Sequence, residues 1–243
     1  MISFIIPAHN EEALLGRTLG ALSAAANAVG EPFEVFVAND GSTDRTGEVA
    51  REQGAAVVDI DRRQIAAARN AGARAASGEI FIFVDADTMI TEPALSAAIR
   101  AVRGGVVGGG CTVRFDGQVP LYAAILERII PPICRAVGMA PGCFLFCSRE
   151  AYLAVRGFNE ELYVAEEVAF GQALKRLGRF VILREHVVTS ARKLRTRTAL
   201  DLVRIAVRIA RGGSRSFRRR EGLEYWYGPR DPQPSLSDSP RKQ

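Results

Sequence analysis

Three acidic groups in this 243-residue chain have the residue types and spacing for chemistry. In Gly78-Glu79-Ile80-Phe81-Ile82-Phe83-Val84-Asp85-Ala86-Asp87-Thr88 an apolar run ends abruptly in two carboxylates one alanine apart. Held at a strand tip, Asp85 and Asp87 form a hard anionic oxygen site suited to Mg2+ or Mn2+ carrying phosphate oxygens. The plain alternative is that they cap a following helix. Glu166-Glu167 open a later helical stretch, where carboxylates serve either catalysis or the helix dipole. Asn39-Asp40-Gly41-Ser42-Thr43-Asp44 is a tight polar turn.

The elements that must position these groups alternate. Strands are expected at Ile2–Pro7, Phe33–Ala38, Ala55–Ile60 and Ile80–Val84, with helices between them. Asn10 is the expected N-cap of the first helix, which reaches Val29. Short connections between alternating strands and helices predict an α/β fold, a mostly parallel sheet with helices on both faces. In such sheets His9-Asn10-Glu11, Asn39–Ser42 and Asp85–Asp87 converge at one edge, where ligands bind. Neither GxGxxG after the first strand nor GxxxxGK[ST] occurs, which argues against a dinucleotide fold or a P-loop. Glycines 104–110 allow close backbone approach to a neighbour or ligand, or simply a hairpin. Further on the pattern predicts a helix over Leu121–Val137 interrupted at Pro131-Pro132, a strand at Phe144–Cys147, and a helix from Ala165 to Leu177.

A hydrophobic content of 48% is enough for a substantial single core. No stretch reaches the roughly 20 uninterrupted apolar residues of a spanning helix. The chain opens directly in a strand with no basic leader, which points to the cytoplasmic side. Cys111, Cys134, Cys143 and Cys147 lack C-x-x-C spacing and read as buried thiols in a reducing compartment. Charge is uneven: residues 192–220 carry eleven Lys or Arg against one acid, +10, so that the remainder is −5. Arg204, Arg208, Arg211 and Arg215 fall in one stripe of a predicted helix over Thr198–Gly212, opposite Leu202, Ile205 and Ile209. Such a C-terminal basic amphipathic helix either packs on its own domain or docks on an anionic membrane surface. Without interleaved aromatics, nucleic acid is a poor partner for it. Residues 228–243 have the composition of a disordered tail.

Four motifs in order and spacing, Ser3-Phe4-Ile5-Ile6-Pro7-Ala8-His9-Asn10-Glu11-Glu12, Asn39–Asp44, Ala68-Arg69-Asn70-Ala71-Gly72 and Gly78–Thr88, resemble the family 2 glycosyltransferases over residues 2–184. The resemblance implies a GT-A (Rossmann-like) catalytic domain at 1–190, to which charge and composition add a basic helical extension at 191–227 and a tail at 228–243. It also implies a UDP- or GDP-sugar donor, a divalent cation and inversion at the anomeric carbon. Carried over by position, Pro7, Ala8 and Glu11 line the base and ribose pocket, and Asp40 accepts a hydrogen bond from the base. Arg69 and Arg192 lie near the nucleotide or its diphosphate, and Asp85 and Asp87 form the Asp-x-Asp motif, with Asp87 touching the metal. Gly157-Phe158-Asn159-Glu160 and Glu166-Glu167 stand where the family has Gly-Phe-Asp-Glu and Glu-Asp. Glu167 thus replaces the base aspartate, with Glu166 as the alternative. The Gln-x-x-Arg-Trp of processive members is absent, Ser190-Ala191-Arg192-Lys193-Leu194 standing at about that place. The expectation is a cytoplasmic enzyme, peripheral on the inner face of the membrane if the basic helix docks there, acting on a lipid or lipid-linked acceptor. The rival readings are a sugar-phosphate nucleotidyltransferase and a non-catalytic membrane- or RNA-binding module.

Overall fold

The apolar run before Asp85 is the centre of the sheet. In the computed structural model, which describes residues 1–117 and 119–192, the chain order is β1 Ile2–Ala8, α1 Glu12–Val29, β2 Phe33–Asp40, α2 Thr46–Glu52, β3 Ala56–Ile60 and α3 Ile65–Ala75. It continues through β4 Ile80–Val84, β5 Thr88–Met89, α4 Glu92–Arg103, β6 Gly108–Phe115, α5 Leu121–Val137, β7 Phe144–Ser148, α6 Arg149–Ala154, α7 Glu166–Leu177 and β8 Phe180–Thr189. The predicted basic helix and tail, from residue 193 onward, lie outside the described residues.

The strand order is β3-β2-β1-β4-β7-β6-β8-β5. β1 pairs in parallel with β2 and β4, and β2 with β3, as the alternation of short strands and helices requires. Beyond β4 the sheet is mixed rather than mostly parallel. β7 runs antiparallel to both β4 and β6, and β8, which the sequence reading did not assign, lies parallel to β6. All five residues of β4 are buried, as expected for a strand covered on both faces. One face packs Phe4, Ile6, Ile82 and Phe146 under α1 and α4. The other packs Ile5, Phe81, Phe83 and Leu145 with α3, α6 and α7, where Phe158 stacks on Phe170 at 4.1 Å.

Local signals set most boundaries. Thr91 Oγ1 accepts from Ala94 N–H to cap α4, Ser148 caps α6, and Gly30 ends α1 in the left-handed region at φ 74°. Helix α5 runs without interruption through Pro131 and Pro132, contrary to expectation. Proline's fixed φ suits a helix, but the two rings remove the N–H donors to the carbonyls of Glu127 and the exposed Arg128 and crowd those same carbonyls, a cost this helix accommodates without a break. All four cysteines are free, as expected, though Cys143 is only partly buried.

The glycine run of β6 serves its neighbouring strands. A Cβ on Gly109 would lie 2.2 Å from the Val181 carbonyl oxygen and 2.7 Å from the Phe146 ring. Gly109→Ala must push β8 or Phe146 aside, and it is expected to cost about 3 kcal/mol in urea unfolding. A loss under about 0.5 kcal/mol would show that the strands separate freely there.

Candidate active site

The carboxyl ends of β1, β2 and β4 meet at one edge, because β1 runs parallel to both neighbours, Ala8 pairing with Asn39 and Ile5 with Phe83. The order 3-2-1-4 puts the change of winding direction between β1 and β4, where α/β sheets open a ligand crevice. Pro7 and Ala8 close the β1 end of that crevice, Ala8 being buried.

The loops after β1 and β2 cap each other. Asn10 N–H donates to Ser42 Oγ at 3.0 Å, Glu11 N–H to Thr46 Oγ1 at 2.8 Å, and Glu12 N–H to Asp44 at 3.1 Å. Donors at the amino end of α1, orphaned in any isolated helix, are thus filled from the Gly41–Thr46 turn. Asn10 is therefore not the N-cap. It sits at φ 50°, its amide oxygen accepting from Thr43 N–H at 2.8 Å, while Glu11 holds the N-cap position without a side-chain cap. This frees the Glu11 carboxylate for Arg192, whose Nη2 donates to its two oxygens at 2.9 and 3.0 Å. The same guanidinium nitrogen is 3.7 Å from Asp87.

Asp40 is 4% exposed and accepts from the backbone N–H groups of Arg62, Arg63 and Gln64, each at 2.7 Å. Its carboxylate fixes the entry to α3 beside the ends of β1 and β2. Three backbone donors already occupy its two oxygens.

Asp85-Ala86-Asp87 forms the tight turn after β4. Thr88 N–H donates to the Asp85 carbonyl at 3.0 Å, Asp85 N–H to the Cys143 carbonyl at 3.1 Å, and Ser190 N–H to the Asp87 carbonyl at 3.1 Å. Thr18 Oγ1 ties down the buried Ala86 through its carbonyl at 2.8 Å. The turn is held from α1, from the loop before β7 and from the residues after β8. Asp85 is 38% exposed and Asp87 14% by side chain. Among the described residues no three His, Cys, Asp or Glu gather into a metal cage. Two hard carboxylates on one turn are nonetheless the donor set with which Mg2+ or Mn2+ is held when phosphates supply the remaining oxygens.

Arg69 joins this turn to the acidic pair. Its side chain is 3% exposed. Nη1 donates to Glu166 at 3.0 Å, while Nη2 donates to Asp85 at 3.1 Å and to the Gly142 carbonyl at 2.9 Å. The guanidinium also lies 5.2 Å from the centroid of the Phe158 ring. Burial opposes its charge, but Asp85, Glu166 and Glu167 outweigh burial and hold its pKa above the ordinary value. At Glu166 burial dominates. Together with the neighbouring Glu167 charge it pushes the carboxyl up to about 8, against the pull of Arg69. At neutral pH Glu166 therefore keeps a proton, while the neighbouring Glu167 is only partly buried.

The structure thus brings Glu11, Arg192 and Asp87 into one cluster and Asp85, Arg69, Glu166 and Glu167 into another. It also gives work to residues to which the sequence reading assigned none. Asn70 accepts from Tyr152 Oη and Phe158 N–H, both at 2.9 Å, and donates to the Phe158 carbonyl and Glu160, both at 2.9 Å. Gln64 donates to the carbonyls of Glu160 and Leu162. Together they fasten the Gly157–Glu160 turn that precedes the acidic pair. The only sequence signal was the place of Asn70 beside Arg69.

Comparison with known proteins follows the same residues. The family model described as glycosyl transferase family 2 matches residues 3–166. A validoxylamine A glucosyltransferase of Streptomyces hygroscopicus subsp. jinggangensis is 34% identical over 154 residues, 58% of this chain and 36% of the relative. An undecaprenyl-phosphate 4-deoxy-4-formamido-L-arabinose transferase of Pseudomonas aeruginosa is 31% identical over 172 residues, 64% of this chain and 50% of the relative. The chain therefore spans about a third to a half of the length of these relatives. Among solved structures, a mannosyltransferase of Pyrobaculum calidifontis with GDP-Man and Mn2+ superposes with a TM-score of 0.66 at 21% identity, covering 88% of this chain and 65% of the other. The glucosyl-3-phosphoglycerate synthase of Mycobacterium tuberculosis, with Mn2+ and UDP, gives 0.59 at 21% identity, covering 87% and 79%.

Arg69→Met keeps the bulk and deletes the charge. Removing one partner of a buried pair costs about 3–5 kcal/mol, and the lower end is expected here because Asp85 reaches solvent and Glu166 holds a proton. Urea unfolding measures the loss; an unchanged midpoint would show that the carboxyls hold their places without the guanidinium.

Proposed function

The chain belongs to glycosyl transferase family 2, and we propose that it moves a sugar from a nucleotide-diphosphate donor to an acceptor hydroxyl with inversion at the anomeric carbon. The likeness to the solved structures gives it the GT-A fold that the resemblance implied. The observation that carries the activity is the junction made by Arg69: one buried guanidinium ties the turn that would hold the donor phosphates to the acidic pair that would serve the acceptor.

The donor is a UDP- or GDP-sugar, in line with the nucleotides named for the solved neighbours. Pro7, Ala8 and the loop fixed by Asp40 form the nucleoside side of the crevice. Asp87 and Asp85 would hold a Mg2+ or Mn2+ ion, which neutralises the charge developing on the departing diphosphate. Arg192 stands beside Asp87 and adds positive charge for the same group. Glu167 is the base: partly exposed and next to a neutral Glu166, it takes the proton of the acceptor hydroxyl as that oxygen attacks the anomeric carbon. The nucleoside diphosphate departs from the opposite face, which inverts the centre. The raised pKa of Glu166 would itself suit a base. However, its carboxyl is 6% exposed and bonded to Arg69, so it orients rather than receives protons.

The basic segment after β8 is assigned to an anionic membrane surface, which suits a lipid or lipid-linked acceptor. The Pseudomonas relative, named for transfer to undecaprenyl phosphate, supports this. Among the described residues no helix is long and apolar enough to cross a membrane.

Release of free sugar from nucleotide-sugar donors with Mn2+ or Mg2+ tests the reading. Asp87→Ala is expected to abolish metal-dependent turnover in a folded protein, and full activity would remove the metal assignment. Glu167→Gln is expected to lose about a hundredfold in kcat for transfer to an acceptor with donor affinity kept. Glu166→Gln mimics the protonated state and should lose far less; the reverse result exchanges the roles. Replacing Arg204, Arg208, Arg211 and Arg215 together by Gln should weaken binding to anionic liposomes, each arginine near the surface being worth about 1 kcal/mol. Undiminished binding would defeat the assignment of that segment.

A further inference from the structure

The donor reading leaves an apolar cavity of about 370 Å3 between α5 and strands β6 and β8 unused. That size lies within the range of small-ligand pockets. Ala123, Ile130, Pro131 and Cys134 line it from the helix, and Val113 and Ile182 from the strands. Among the described residues Glu127 is its one charged lining residue.

The cavity adjoins the acidic pair through two further lining residues, Gly142 and Cys143. The Gly142 carbonyl accepts from Arg69 at 2.9 Å and the Cys143 carbonyl from Asp85 N–H at 3.1 Å. A Cβ on Gly142 would stand 3.2 Å from Glu167 Cγ. One residue, with no side chain, thus separates the cavity from the carboxylate assigned as base. A molecule filling the cavity with its apolar body has its polar end beside Glu167.

The outer side of α5 indicates where such a molecule comes from. Ile125, Ile129, Ile133 and Val137 follow at intervals of four, forming one row along the helix, and are 48–57% exposed. Single exposed apolar side chains are ordinary, but four in a row form a patch, and with Arg128 and Arg135 also exposed on the helix this is the pattern of an element lying in a lipid interface. The cavity-lining residues 123, 127, 131 and 134 follow the same helical period on the other side, and Ile130, which also lines the cavity, is 43% exposed.

We propose that the acceptor is a membrane lipid whose hydrocarbon chain enters this cavity, delivered from a bilayer on which the outer row of α5 rests. The proposal deepens the glycosyl-transfer reading and depends on it for the role of Glu167.

Fluorescence titration with a dansyl-labelled C12 alcohol tests the cavity. Saturable binding by the full chain is expected, weakened at least about tenfold by Ala123→Phe, which fills the space. Val113→Phe is the second variant should the first fail to fold. No saturable binding, or equal binding by the folded variants, overturns the cavity assignment. Nucleotide-sugar hydrolysis by the unmodified chain is read separately: its absence overturns the glycosyl-transfer reading, while chain binding stands or falls by fluorescence. For the source, the full chain should float with phosphatidylcholine vesicles, and Ile129→Glu with Ile133→Glu should release it. Continued flotation of the double variant overturns the bilayer source. So does a lowered Tm without release, which would mean that residues 193–243 cover the row, or a change from dimer to monomer, which would mean that a second copy does.

Discussion

A guanidinium buried to 3% exposure constrains everything around it. Taking Arg69 out of water costs several kcal/mol, and only well-placed partners offset that. Here the partners come from four parts of the chain: Asp85 from the end of β4, Glu166 from the first turn of α7, the Gly142 carbonyl from the loop before β7, and the Phe158 ring from the turn before the acidic pair. None of these can drift without leaving charge unpaired in a dry place. Arg69 Nε has no hydrogen-bond partner among the described residues, so the remaining bonds carry the whole compensation. The acidic turn and the acidic pair, 80 residues apart in sequence, are therefore held in one geometry before any ligand arrives.

The same economy governs the loops at the carboxyl ends of β1 and β2. An isolated α1 would leave its first N–H groups to water, and an isolated Asp40 would be a costly buried charge. Ser42, Asp44 and Thr46 satisfy the first, and the backbone of residues 62–64 satisfies the second. Much of the polar composition of these loops is thus structural. Glu11, Arg192 and Asp87 differ, since they also pair side chain to side chain at the crevice. That cluster is the part a diphosphate and cation would rearrange.

How much was legible in the sequence follows from whether each signal was local. β4 and its two aspartates could be read because a continuous apolar run broken by carboxylates is a local pattern, and the first four strands and their parallel pairing followed from alternation alone. Asn10 misled because a good capping residue was overruled by a partner 33 positions away. β8 escaped notice: Arg184-Glu185-His186 interrupts its apolar pattern, and its pairing with β6 shifts register between Gly110 and Thr112. The antiparallel β7 depends on which strand it meets, which no local pattern encodes. Arg69 could be placed near the site, but its bonding to Glu166 could not be foreseen, since both ends of that pair are fixed by tertiary contacts.

Gly142 explains how a glutamate can stand where an aspartate is expected. The extra methylene of Glu167 carries its carboxylate farther from the backbone of α7, a displacement of more than about 1 Å that would misplace a base in a site shaped for the shorter acid. Here the longer side chain lies against a residue without a side chain. The Cβ that Gly142 lacks would be 3.2 Å from Glu167 Cγ, 3.4 Å from Cδ and 3.6 Å from Cβ. The tightest of these approaches is to the added methylene itself. A Cβ at 142 would crowd that carbon and shift it by a few tenths of an ångström, whereas glycine leaves the side chain in place. Because Arg69 and Asp85 anchor that same loop through the carbonyls of residues 142 and 143, the surface on which Glu167 rests is itself fixed by the buried guanidinium. The length of Glu167, the proposed base, and the absence of a side chain opposite it fit each other on a loop held by the interaction that fixes the acidic turn.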